Sequence, residues 1–293
     1  MPMNRPVVVG VDGSPSSLVA AEHAAHAALL RSRPLLLVHG YLHPLGYGVP
    51  LNPYDLGVPA PSEEAQKMLE RAAADLIDRW PGLGVEVRQV AGGPGATMVE
   101  ESRRADLVVV GSRGLGGFAG LLLGSVGAQV AAHAHCPVLV VRPDEQPIPV
   151  DAPVLVGVDG SESSRLAAGY GADEAALRNV PLVLVHVGPP PDGDRPIPEE
   201  IEESQAAYQA EAVRLLADAS TAVRAEHPDL VVREHPVRAA GPARGLIEAS
   251  GAASLLVVGT RGRSGFAGLL LGSVSQAAIH HAHCPVLVAR PVS

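Results

Sequence analysis

The sequence VGVDGS stands at Val9–Ser14 and again at Val156–Ser161, an offset of 147 residues (156 minus 9). In each copy it ends a short run of β-branched residues, which is typical of a buried strand. Asp-Gly-Ser after the strand predicts a turn and the start of a helix. Leu-Val-His recurs at the same offset, at 37–39 and 184–186. These repeats indicate a tandem duplication, so each half should have the same fold.

Two longer phrases recur at an offset of 148 residues (259 minus 111). GSRGLGGFAGLLLGS at 111–125 becomes GTRGRSGFAGLLLGS at 259–273, and His-Ala-His-Cys-Pro-Val-Leu-Val at 133–140 returns at 281–288. A chain of 293 residues is long for one compact domain but suits two. Four prolines in the stretch 142–153 favour a stiff connection. We therefore predict domains at 1–143 and 154–293, joined by a linker at 144–153.

Within each half, short apolar runs alternate with Ala-rich or amphipathic segments. The predicted strands are 6–11, 34–39, 85–90, 106–111 and 137–142, then 154–158, 181–187, 231–237, 254–259 and 285–290. The predicted helices are 16–31, 63–80, 96–104 and 125–134, then 163–178, 199–226, 242–250 and 273–282. Strand and helix in alternation predict an α/β fold with a doubly wound parallel sheet in each half.

The composition argues against several classes of partner. A net charge of −9 disfavours nucleic acid and anionic lipid. Residues 114–141 contain no Asp, Glu, Lys or Arg and are long enough to cross a bilayer. Six glycines and Pro137 in this stretch nevertheless favour a turn, a helix and a strand over one continuous helix. The first residues lack the features of a signal peptide, so we predict a cytoplasmic protein with no membrane contact.

Two segments follow strands at the edge of the sheet where ligands bind in doubly wound folds. One is the Asp-Gly-Ser segment after the first strand, and the other is the glycine segment after the fourth. In the glycine segment, Gly111 and Gly114 allow a sharp turn and a close approach to a ligand. Gly124 and Ser125 begin a helix, whose free N–H groups and dipole favour an anion, and Arg113 adds a cation. The equivalent residues of the second half are Gly259, Arg261, Gly262, Gly272 and Ser273. Alternatively, the glycines serve only tight packing and Ser125 is an ordinary N-cap; no Lys follows it, which excludes a Walker P-loop.

The other segment contains Asp12 in the first half and Asp159 in the second. Each carboxylate has two interpretations that the sequence leaves open. It can accept hydrogen bonds from ribose hydroxyls or an adenine amino group, or it can form an Asx-turn or cap the next helix.

Histidine and cysteine occur together near the end of each half, at 133–136 and 280–284. These are metal-ligand types, but a helix end followed by Pro makes the side chains diverge. We therefore predict no metal site, and expect Cys136 and Cys284 to be core residues without a mutual disulfide.

The recurring phrases resemble those of the universal stress proteins, in their tandem two-domain actinobacterial form. The resemblance covers essentially the whole chain and implies two Rossmann-like domains of five parallel strands in the order 3-2-1-4-5. It implies ATP, together with Mg²⁺, as the ligand and a homodimer of two-domain chains as the assembly. Asp12 and Asp159 would contact the nucleotide, the backbone of Gly40 and Val187 would meet adenine, and the glycine segments would wrap the phosphates. Gly40 departs from the Val that is usual in the family.

We expect a binding and regulatory protein that acts under stress or dormancy, with two nucleotide sites per chain. The alternative is an enzyme, a slow ATPase or a nucleotidyl transferase using the same sites. No Ser/His/Asp arrangement, paired carboxylates or Gly-x-Ser-x-Gly motif points to catalysis.

Overall fold

The computed structural model describes residues 5–41, 62–114, 124–142, 151–190, 199–263 and 270–292. The chain forms two compact units, one up to Asp144 and the other from Glu145 to Arg290. In the first, the strands are β1 (Val7–Gly10), β2 (Leu35–Tyr41), β3 (Val85–Ala91), β4 (Leu107–Gly111) and β5 (Val138–Val141). The helices between them are α1 (Pro15–Leu30), α2 (Glu63–Arg79), α3 (Pro94–Glu101) and α4 (Ser125–His133).

The second unit repeats this order. Its strands are β6 (Val154–Gly157), β7 (Leu182–Gly188), β8 (Val232–Arg238), β9 (Leu255–Gly259) and β10 (Val286–Ala289). Its helices are α5 (Glu162–Arg178), α6 (Glu199–Glu226), α7 (Pro242–Ala249) and α8 (Ser273–His281), with a short 3₁₀ turn at Ser250–Ala252.

All strands within each unit pair in parallel. The order is β3-β2-β1-β4-β5 in the first unit and β8-β7-β6-β9-β10 in the second. This is the doubly wound arrangement 3-2-1-4-5, so the predicted fold class is confirmed. The reversal of strand order falls between β1 and β4, and between β6 and β9, which places a crevice beyond the ends of these strands.

The core consists mainly of Val and Leu from the strands and Ala from the helices. Val7 and Val9 on β1, and Leu35 and Leu37 on β2, are fully buried. Helix α1 covers them with a face of small residues that includes Ala24. The low aromatic content is explained by this packing, because Ala lets helices lie close to a sheet of branched side chains.

Each predicted helix and strand is present, but α3 differs most from its predicted bounds of 96–104. It begins at Pro94 and ends at Glu101. Proline is favoured in the first turn of a helix because its missing N–H would have no intrahelical acceptor. Gly93 and Pro94 therefore start the helix, as Gly241 and Pro242 do in α7.

Of the helices formed by the described residues, none has both the length and the apolar character needed to cross a bilayer. Part of the uncharged stretch 114–141 forms α4 and β5.

The stability of the first unit is expected to fall as the pH drops below 6.5. Burial, and to a smaller extent the neighbouring His26, lowers the pKa of His23 on α1 from 6.5 to about 4. The folded chain thus holds this imidazole neutral, and protons bind preferentially to the unfolded chain. The stabilisation is complete above pH 6.5 and is lost towards pH 4, about 1–2 kcal/mol between pH 7 and 5.

Chemical denaturation at pH 7 and pH 5 measures this loss. The control is His23→Tyr, because Tyr170 occupies the equivalent position on α5 (23 plus 147). The variant should lose less stability than the wild type between these pH values. An identical pH dependence in both proteins would show that His23 is not the titrating group.

Candidate functional site

A cavity of about 550 Å³ lies beyond the carboxyl ends of β6, β7 and β9 in the second unit. Its volume is in the range of small-molecule sites, roughly 300–1,000 Å³. All seven residues that the sequence analysis selected in this half line it: Asp159, Val187, Gly259, Arg261, Gly262, Gly272 and Ser273. The fold thus brings together two segments that are about a hundred residues apart in the chain.

The carboxylate of Asp159 uses its two oxygens differently. Oδ1 accepts hydrogen bonds from the Ser161 backbone N–H at 2.9 Å and from the Ser161 hydroxyl at 2.6 Å, which is an Asx-turn. Ser161, not Asp159, caps α5, because its Oγ accepts from the Ser164 N–H. Oδ2 faces the glycine segment, where a Cβ added at Gly262 would lie 2.6 Å from it. The two interpretations of this residue are therefore compatible.

Asp12 has the same geometry in the first unit. Its Oδ1 accepts from the Ser14 N–H at 3.0 Å and from the Ser14 hydroxyl at 2.6 Å, and Ser14 caps α1. A Cβ added at Gly114 would lie 2.7 Å from Asp12 Oδ2. Both halves thus aim one carboxylate oxygen at the second glycine of the segment.

Asp159 remains ionised at neutral pH. Burial tends to raise the pKa of its carboxyl, but hydrogen bonds from Ser161, the Arg263 N–H and Ser164 together lower it below the ordinary value of 3.8. The stabilisation from these bonds is present above pH 3.8 and is lost only as the pH falls further. A ligand would therefore meet an acceptor here, suited to hydroxyl or amino groups.

The two ends of each glycine segment meet. Gly124 donates its N–H to the Ser112 carbonyl at 2.6 Å, and Gly272 donates to the Thr260 carbonyl at 2.7 Å. Gly259 is required by packing, because an added Cβ would lie 2.7 Å from the Ser163 carbonyl oxygen on α5.

Gly111 and Gly114 are not required by a left-handed backbone conformation. Neither has a positive φ; the first turn of the site has one instead, at Gly13 (82°) and Gly160 (81°). Gly111 permits contact with Ser16 on α1, as Gly259 does with Ser163 on α5. Gly114, like Gly262, leaves space beside the Asp carboxylate.

Helix α8 begins at this cavity without a side-chain cap. The N-cap residue is Gly272, and Ser273 is the first helical residue, so the alternative of a serine N-cap is wrong for Ser273 and equally for Ser125 in α4. The N–H groups of the first turn have no intrahelical acceptors and carry the positive end of the helix dipole. By contrast, α5 starts at the same edge with Ser161 as its cap. The start of α8 is therefore suited to an anion.

One histidine anchors the turn of each site. His39 Nδ1 lies 2.8 Å from the Val11 carbonyl oxygen, and His186 Nδ1 lies 2.7 Å from that of Val158. Because a carbonyl only accepts, the imidazole donates from Nδ1 in both cases. His186 also lines the cavity, so it serves both as an anchor and as a wall.

The side-chain volume that is missing at Gly40 is supplied by a neighbouring residue, Thr97. A Cβ on Gly40 would lie 2.8 Å from Pro94 Cα and 3.1 Å from Thr97 Oγ1. In the second unit, Val187 stands in place of Gly40, and Gly245 stands in place of Thr97 (97 plus 148). A Cβ on Gly245 would lie 2.7 Å from Val187 Cγ1. The large and small residues have exchanged places, so the strand and helix still pack.

Among the residues that line the cavity but were not selected from the sequence are three large polar side chains, Tyr208, Glu211 and Arg263. Arg263 donates its backbone N–H to Asp159 Oδ2 at 3.0 Å, and its guanidinium contacts Glu211 Oε1 at 2.6 Å. Leu115 occupies the equivalent position in the first half (263 minus 148). An alignment of the two halves of the sequence would therefore have singled out Arg263 as a cation present in only one of them. Tyr208 and Glu211 lie on the long helix α6, and no motif marks them.

Arg113 and Gly40 belong to the first unit, where the side chain of Arg113 is exposed. The stretches 115–123 and 264–269 between the glycines, and most of the predicted linker, lie outside the described residues. Among the residues described, no group of three or more His, Cys, Asp or Glu side chains is placed to hold a metal ion. Cys136 and Cys284 are both buried, and neither forms a disulfide.

Comparison with known proteins identifies one family. The sequence model of the Universal stress protein family matches residues 3–142 and 152–290. A universal stress protein of Mycobacterium tuberculosis is 39% identical over 293 residues, covering 97% of this chain and 96% of the relative. Another from the same organism is 40% identical over 290 residues, with the same shares covered. The crystal structure of a universal stress protein from Archaeoglobus fulgidus has the same fold, with a TM-score of 0.67, 20% identity and full coverage of both chains.

Proposed function

The chain belongs to the universal stress protein family, and from this premise we propose that it binds ATP at two sites, one in each half. Its role is that of a cytoplasmic regulator of a stress or dormancy response. The observation that carries the proposal is the uncapped start of α8 at the floor of a 550 Å³ cavity. An anion is favoured at this point, while the rest of the cavity offers apolar walls and the Asp159 carboxylate as an acceptor, the other carboxylate, Glu211, being paired with Arg263.

The parts of an adenine nucleotide match the parts of the cavity. Val187 and Leu246 provide an apolar wall for a base, and Asp159 provides an acceptor for ribose hydroxyls. Arg261 and the N–H groups that begin α8 are suited to phosphates. Mg²⁺ would be held by phosphate oxygens and the exposed Ser273 hydroxyl, since Mg²⁺ prefers oxygen ligands and keeps part of its water.

The first unit has the same framework, with Asp12 and the uncapped start of α4. We therefore expect two nucleotides per chain. The binding residues that we propose are Asp12, Gly40, Gly111, Arg113, Gly114, Gly124 and Ser125, and in the second half Asp159, Val187, Gly259, Arg261, Gly262, Gly272 and Ser273.

We also propose that two chains form a homodimer, which sedimentation velocity would detect.

The decisive experiment identifies the ligand. Freshly purified protein is denatured by heat, and the released material is analysed by chromatography; calorimetric titration of ligand-free protein with ATP and Mg²⁺ then gives the stoichiometry. We expect an adenine nucleotide in the first measurement and two sites in the second. If nothing is released and added ATP neither binds nor shifts the melting temperature, the proposal is wrong.

The same preparation distinguishes regulation from catalysis. A regulator should keep bound ATP intact over hours, whereas a slow ATPase or nucleotidyl transferase would produce ADP or AMP steadily. The double variant Gly124→Glu with Gly272→Glu, which places a carboxylate at each proposed phosphate position, is the control for contaminating enzymes. Turnover that persists in this variant would come from a contaminant.

A further inference from the structure

A second cavity, of about 300 Å³, lies between α5 and α6 in the second unit. It shares only Val158 and Arg263 with the candidate nucleotide site. Residues on α6 from Arg214 to Glu226 line it at intervals of three or four, so it extends for about 18 Å along that helix. We call this cavity the α5–α6 cleft. Its shape suits an elongated occupant.

The floor of the cleft is apolar and made of short side chains. Ala168, Ala172, Ala219 and Val223 are buried and line it. Gly169 completes the α5 side, and a Cβ added there would meet no atom within 4 Å. A glycine inside a helix costs about 0.5–1 kcal/mol relative to alanine. Because no packing contact requires Gly169, its effect in this fold is to keep the cleft open.

The first unit provides an internal comparison, since an ion pair joins the equivalent two helices there. Glu22 stands in place of Gly169 (22 plus 147), and Arg79 stands in place of Glu226 (79 plus 147). Arg79 Nη1 and Glu22 Oε1 are 2.6 Å apart, so an ion pair joins α1 to α2. The second unit has lost both members of this pair. The Glu22–Arg79 bridge between the two helices thus has no counterpart at Gly169 and Glu226 in the second unit.

The charges of the cleft differ between its two ends. Near the start of α5, Arg165 replaces the Leu18 of the first unit, and Arg214 and Arg263 lie at the same end. Arg214 pairs with Asp218 and Arg263 with Glu211, while Arg165 bonds the Gly160 carbonyl and has no carboxylate partner among the described residues. The N-terminus of α5, which carries the positive end of the helix dipole, also lies at this end of the cleft.

The far end is negative. Glu226 lies in the last turn of α6, and Asp173 is 3.2 Å from His227 Nε2. The carbonyl groups that end α6 add partial negative charge at the same place. A carboxylate is thus favoured at the Arg165 end and disfavoured at the Glu226 end.

We infer that the α5–α6 cleft binds a small carboxylic acid with a single unbranched apolar chain, its carboxylate at Arg165 and its chain along the alanine floor. The apolar floor accounts for the chain, the Arg165 guanidinium, which no described carboxylate neutralises, accounts for the head group, and Glu226 excludes a second acid group. This inference is independent of nucleotide binding, because a different set of residues carries it.

Octanoate is the probe, and calorimetric titration of the full-length protein measures its affinity. Octanol tests whether the carboxylate matters, and octanedioate tests the negative end. We expect one octanoate site per chain and at least roughly tenfold weaker binding of the other two compounds. Absent or non-saturable octanoate binding, or equal affinity for octanol, would overturn the inference.

The variants take their residues from the first unit. Gly169→Glu with Glu226→Arg recreates the Glu22–Arg79 pair and should abolish octanoate binding without unfolding the protein. Arg165→Leu restores the equivalent of Leu18 and should weaken binding roughly tenfold. Octanoate binding that survives in the filled variant contradicts the assignment of the site.

The matched control is Gly272→Glu, which lies in the other cavity and should leave octanoate affinity unchanged. Sedimentation velocity tests for another occupant, a second copy of this chain. If the filled variant dissociates a wild-type assembly and the wild type does not bind octanoate, the cleft is a protein interface and the inference is wrong.

Discussion

Replacement of Gly272 by glutamate is expected to abolish ATP binding in the second half while leaving the fold intact. Like charges brought together cost several kcal/mol, so the affinity should fall at least about 100-fold. The backbone allows the change, because Gly272 has φ −76° and ψ 160°, which any residue adopts. An added Cβ would have its nearest contact at 3.4 Å, to Arg261 Cα. The new carboxylate would occupy the anion position at the start of α8.

The stability of this variant should not fall, because an acidic residue at a helix start is favourable by about 0.3–1 kcal/mol. Titration calorimetry should therefore show one nucleotide per chain, a melting temperature equal to or above that of the wild type, and no binding once Gly124→Glu is added. Gly272→Ala is the control and should bind two nucleotides. If the glutamate variant retained wild-type stoichiometry, the start of α8 would not be a phosphate site.

Two glycines of α5 should respond to alanine in opposite directions. At Gly171 an added Cβ would lie 2.2 Å from Val156 Cγ2 and 3.3 Å from Leu182 Cδ1. Both neighbours are fully buried strand residues. Because neither can move without disturbing the sheet, Gly171→Ala should destabilise the second unit by about 3 kcal/mol, the upper end of overpacking costs.

At Gly169 the same substitution meets open space and removes only the entropic cost of glycine. Gly169→Ala should therefore stabilise the unit by about 0.5–1 kcal/mol. Denaturant unfolding of both variants gives the two values under one condition. If Gly171→Ala proved neutral, α5 would lie farther from β6 and β7 than the structure places it.

Much of this architecture follows from local patterns. The alternation of apolar runs and helical segments predicts the fold class because a parallel sheet with helices on both faces buries such runs completely. The duplication predicts the second unit from the first. The two segments of the candidate site could be selected in advance, since Asp-Gly-Ser and the glycine phrase both follow buried strands, and strand ends converge in a doubly wound sheet.

Other features depend on contacts between residues distant in the chain. The sequence left the function of Asp159 open, whereas the structure shows one oxygen in the Asx-turn and the other facing Gly262. The exchange of Gly40 and Thr97 for Val187 and Gly245 is visible only when β2 and α3, or β7 and α7, are packed together.

The sequence by itself therefore determined the duplication, the order of elements and the glycine segment, because each depends on neighbours in the chain. The tertiary structure alone decided that Arg263 and Glu211 meet at the cavity and that α5 and α6 leave a cleft between them. The physical reason is that α6 contributes to both places, and no local pattern in α6 indicates which side chains of α5, or of the segment that follows β9, it will face.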